Sequence, residues 1–147
     1  MATLRELLGG PAKRGALIED SLRLLDSEVD DKGGLSGIAI KTAYKVVKGI
    51  SPDFLHKAVD YLMDDFLDAL DPIYQSALQA GQDPKQQLVS NPSRVADALL
   101  AITDARASRA KNAVVKKTYD KLRDGAKKQV EAAVPRLGEM FARHVGS

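Results

Sequence analysis

The feature that most constrains this chain is an apolar stripe that begins at Phe54. Phe54, Leu55, Ala58, Val59, Leu62, Met63, Phe66, Leu67 and Leu70 recur every three or four residues, the spacing of one side of an α-helix. The stripe is wide, and a wide stripe suits a central helix buried between neighbours. Ser51-Pro52-Asp53 supplies a start signal. Serine can accept a bond from the first-turn amides, and proline's missing donor costs nothing at the first helical position. Asp71-Pro72 restarts or kinks the helix, and Ile73, Tyr74, Ala77 and Leu78 continue its face.

A helix of that kind needs other helices to cover it, and the flanking sequence provides them. Lys13 to Asp31 places Leu17, Ile18, Leu22, Leu24, Leu25 and Val29 near a 3.6-residue period. It stops at Gly33-Gly34, where a glycine at positive φ can close a helix. Leu35 to Ile50 carries Ile38, Ile40, Ala43, Tyr44, Val46 and Val47, with Lys41, Lys45 and Lys48 as a solvated face opposite them. Gly81 to Pro84 reads as a loop, Pro84 to Val89 as a short helix, and Asn91-Pro92 as another start. From Ser93 to His144 the chain reads as helical, with a joint at Gly125 and a bend at Pro135, since an internal proline removes one helix bond. The sequence therefore predicts an all-α fold. We expect a single antiparallel bundle of five or six helices, one domain over residues 1–147 with an ordered core from about 12 to 144.

Composition narrows the class of protein. A chain of 147 residues is the size of one ordinary domain and closes a core without staples. It has no cysteine, which excludes disulfide scaffolds and thiolate metal sites. Met1 to Gly10 alternates charge and leucine and lacks the apolar core of a signal peptide. No stretch nears the roughly 20 apolar residues of a membrane span. These readings make the cytoplasm the expected location.

Charge is unevenly placed. Residues 1–93 hold 10 Lys/Arg against 14 Asp/Glu, and residues 94–147 hold 12 against 6. An acidic half and a basic half can neutralise each other inside one bundle, or the basic half can face a polyanion. We expect the first, with the stripe Asp60, Asp64, Asp68 lying beside the basic helices. The candidate face for the second is Lys117, Lys121 and Lys128, which share one side of a helix at i, i+4 and i+11. Tyr119 is the one aromatic among them and falls in the apolar register, so stacking platforms for bases are lacking.

Catalytic constellations do not emerge. Asp31 to Gly37 is glycine-rich, but a phosphate-binding P-loop would need glycine where Ile40 stands; a tight helix–helix turn, with Gly37 permitting close approach, is the better reading. His56 shares a face with Asp53 and Asp60, which on an exposed helix is a solvated stripe more often than a metal site. His144, near the end of the last helix, suits the helix dipole. We expect a non-enzyme with no cofactor and no metal site, an adaptor or assembly subunit that meets a protein partner through a helix face. Nucleic-acid binding by residues 94–147 is the alternative, and self-association is compatible with either.

Asp31-Lys32-Gly33-Gly34-Leu35-Ser36-Gly37, running into Ala39-Ile40-Lys41-Thr42-Ala43-Tyr44, resembles a small bacterial all-helical family of unknown function. Thr103 to Ala107 and Val130 to Gly138 are similar to it as well. The resemblance spans roughly residues 3–144 and implies a bacterial cytosolic setting. It implies no activity, cofactor or site for any residue.

Overall fold

The computed structural model describes residues 2–146, apart from the side chain of Ser36. Among them there are seven α-helices and no strand: α1 Leu4–Leu8, α2 Pro11–Asp31, α3 Gly34–Lys48, α4 Phe54–Gln79, α5 Pro84–Val89, α6 Pro92–Ala107 and α7 Ala113–Gly146. The all-α expectation holds. The count is one or two higher than five or six, because the segment ahead of residue 12 is a helix in its own right. Thr3 caps it with a reciprocal pair of bonds to Glu6, which satisfies two otherwise orphaned amides. Leu4 and Leu8 are fully buried, so the core starts well before residue 12.

The core is organised around α4, as its stripe implies. Met63, Leu67, Leu70, Ile73, Tyr74 and Ala77 are buried along it. Against them lie Leu17 and Ile18 of α2, Leu88 of α5, Val95 and Leu100 of α6, and Val134, Met140 and Phe141 of α7. Ion pairs fix the directions of the helices. Arg123 on Asp104 and Lys127 on Asp97 set the first half of α7 antiparallel to α6. Arg136 on Glu28 and His144 on Asp20 set its second half antiparallel to α2.

Several local expectations change. α4 begins at Phe54 behind Asp53, and the Ser51 hydroxyl donates to the Asp53 carboxylate instead of capping first-turn amides. Neither proline interrupts its helix: Pro72 lies within α4 and Pro135 within α7, and α7 is continuous through Gly125 as well. Both prolines are on exposed sides, where water can take the carbonyl that loses its partner. α2 ends at Asp31 with Lys32 extended, and the positive φ (68°) belongs to Gly34, the first residue of α3. The glycine pair therefore opens the following helix more than it closes the preceding one.

Candidate interaction surface

α3 has two apolar sides, and only one of them is used. Inward, Gly37 is buried so close to the preceding turn that a Cβ there would sit 2.7 Å from the Lys32 carbonyl group. Tyr44 donates its hydroxyl to Asp26 of α2 at 2.5 Å, and Lys48 lies over the Tyr44 ring while reaching the same carboxylate. Burial and the Asp26 carboxylate push the Tyr44 hydroxyl's pKa far above its ordinary value, so this tie stays uncharged on the tyrosine side. Apart from Gly37, no described residue of α3 is buried, and none joins the central cluster.

Outward, the helix shows Leu35, Ile38 and Val46 at 87%, 64% and 45% exposure. Ala39, Thr42 and Gly49 complete the same stripe and are exposed too, at the i, i+3, i+4, i+7 spacing of one helix face. Lys41 and Lys45 flank this stripe on one side, while Lys48 turns inward to Tyr44 and Asp26. All three are exposed, across the helix from Ile40, Ala43 and Val47, the solvated face that the sequence predicts. α3 contains no acidic residue, and among the described residues no carboxylate pairs with Lys41 or Lys45. Scattered exposed apolar side chains are ordinary. A continuous stripe is not, since burying a Leu or Ile is worth about 1.5–3 kcal/mol.

The basic candidates sit elsewhere. Lys117, Lys121 and Lys128 are exposed along the outer side of α7, and the structure does keep them on one face. None has an ion-pair partner among the described residues, but Asp120 and Asp124 interrupt the row. The acidic stripe does not offset them. Asp60 and Asp64 clasp Arg14 of α2 at 2.7 and 2.8 Å, and Asp68 pairs with Arg5 of α1. The basic half instead spends Arg106 on Asp65, Arg123 on Asp104, Lys127 on Asp97 and Arg136 on Glu28.

One polar network at the α6–α7 seam went unforeseen. The Tyr119 hydroxyl lies 2.8 Å from Thr103 Oγ1 and also bonds Asp104, whose two oxygens accept from Arg123 at 2.7 and 3.0 Å. Arg123, and then Tyr119, hold the Asp104 carboxyl below the usual range. The pairing of an acid with residues 15 and 19 positions later has no local periodicity, so nothing in the sequence announces it.

His56 approaches Glu19 at 3.7 Å, and among the described residues no group of three or more ligating side chains could hold a metal ion. His144 Nε2 lies 2.6 Å from Asp20. That is a histidine–carboxylate pair, but the neighbouring Ser21 hydroxyl donates to the Leu17 carbonyl and so is engaged within its own helix. No helix of the described residues is long and apolar enough to cross a membrane.

The class these observations define is an all-α bundle protein whose unspent chemistry lies on its surface, chiefly on α3. By comparison with known families the chain belongs to a family of unknown function, DUF6918, matched over residues 4–145. No curated protein and no solved structure matches it.

Proposed function

We propose that this protein is a non-catalytic interaction protein of the bacterial cytoplasm, and that it binds a protein partner through the outward face of α3. The observation that carries this reading is the exposed stripe of Leu35, Ile38 and Val46 on a helix whose opposite side is already anchored to α2. An adaptor or assembly subunit has use for such a surface, and an isolated bundle has none. A photoreactive amino acid at position 38, with position 117 of α7 as the control, tests it in cells. Discrete protein adducts from position 38 and none from 117 are expected. Adducts from 117 alone would move the interface to α7.

A second reading, polyanion binding by the C-terminal half, is favoured by Lys117, Lys121 and Lys128, which have no ion-pair partner among the described residues. Retention on DNA that falls steeply with salt would support it.

A further inference from the structure

We infer that the partner presented to α3 is an acidic amphipathic helix of another protein. This deepens the interaction reading and rests on it. The outward stripe runs the length of α3 and is one helix wide. Ala39, Thr42 and Gly49 stand among its larger side chains, and small residues beside large ones form the grooves into which a second helix sets its ridges. Charge selects the kind of helix. Lys41 and Lys45 border the stripe without acidic partners among the described residues, and α3 has no carboxylate to answer a basic partner. Flanking charges of this sort set partner choice when helices pair.

The same charges argue against the other occupants. Two copies of α3 packed antiparallel bring like flanks together, with Lys41 and Lys45 against the same residues of the second copy. Packed parallel, those lysines meet the flank that carries Ala43, where α3 has no carboxylate to pair with them. A lipid surface takes up helices with a broad face of large apolar residues and cations along the polar side. Here the polar side is absent, because the reverse of α3 is packed on the bundle.

Two labelled model helices of about 20 residues test the inference by fluorescence anisotropy at low salt. They share one leucine stripe and carry either glutamate or lysine along its borders. The glutamate helix should bind about tenfold more tightly, the worth of two modest ion pairs. Ile38→Ser should weaken binding of both helices, and Lys41→Glu with Lys45→Glu should reverse the preference. All these positions are exposed, and an unchanged denaturation midpoint checks that each variant folds. Equal binding of the two helices, binding of neither, or a preference that survives the double charge reversal would overturn the inference. So would a dimer in solution that Ile38→Ser dissolves, or sedimentation with phosphatidylglycerol vesicles that the glutamate helix fails to compete. Protein adducts from position 38 without any charge preference would sink the acidic helix alone and leave the interaction reading standing.

Discussion

Gly34 has φ of 68° and nothing within 4 Å of where a Cβ would project, so its conformation alone decides what a side chain costs there. Gly34→Ala should destabilise by about 1 kcal/mol. Gly33 has φ of −122° and equally open surroundings. Gly33→Ala should therefore be neutral or slightly stabilising, and chemical denaturation of the two variants separates them. That one of the pair would need positive φ was readable from the glycines; which one, and that it opens α3, depends on where the chain turns. Asp104 offers a pH test. Its folded pKa is depressed by Arg123 and then Tyr119, so its contribution is present above an unfolded value near pH 4 and is lost as pH falls through the folded one. Asp104→Asn should lower the denaturation midpoint at neutral pH, and the gap from wild type should close as pH falls through the depressed folded value. A gap that stays constant with pH would mean that the network is not holding an ionised carboxylate.

At the scale of elements, α4 shows how far periodicity reaches. The stripe identified the central helix, and Met63, Leu67 and Leu70 are buried as it requires. Leu62 and Phe66 belong to the same stripe yet are only half-buried, because period fixes a face and the neighbours fix which part of that face they cover. Leu67→Ala should cost about 2–5 kcal/mol through lost transfer energy and an unfilled cavity, clearly more than Leu62→Ala. Equal losses at the two sites would place the helix axis wrongly. α1 was legible in principle, since Thr3 and Glu6 stand at capping-box spacing, but five residues carry too little pattern to stand out. α3 was the least legible. Ile38, Ile40, Val46 and Val47 surround the helix, and a sequence apolar on two sides does not say which side its neighbours take. The anchors that decide it, Tyr44 on Asp26 and Gly37 against Lys32, are contacts with α2 and with the turn before the helix.

Across the whole molecule the charge asymmetry resolves into local pairs. The aspartates of α4 at 60, 64 and 68 go to Arg14 and Arg5, and the cations of α6 and α7 draw on acids spread over α2, α4 and α6. Among the cations left over are the lysine row of α7 and Lys41 and Lys45 of α3. Lys117→Glu with Lys121→Glu should leave the denaturation midpoint unchanged, because neither lysine has an ion-pair partner among the described residues. DNA retention lost in that variant would shift the functional assignment to α7. The candidate site itself was legible only as a helix face of unstated identity, for the free side of α3 exists only once α2 has claimed the other. The most direct test of that claim is the chemical denaturation of Leu35→Ser with Ile38→Ser. If the stripe is a surface held for a partner, the isolated double variant should match the wild type to within about 0.5 kcal/mol, as substitutions outside the core do. A loss above about 2 kcal/mol would mean that these side chains are packed into the protein's own core in solution, and that α3 has no face to offer.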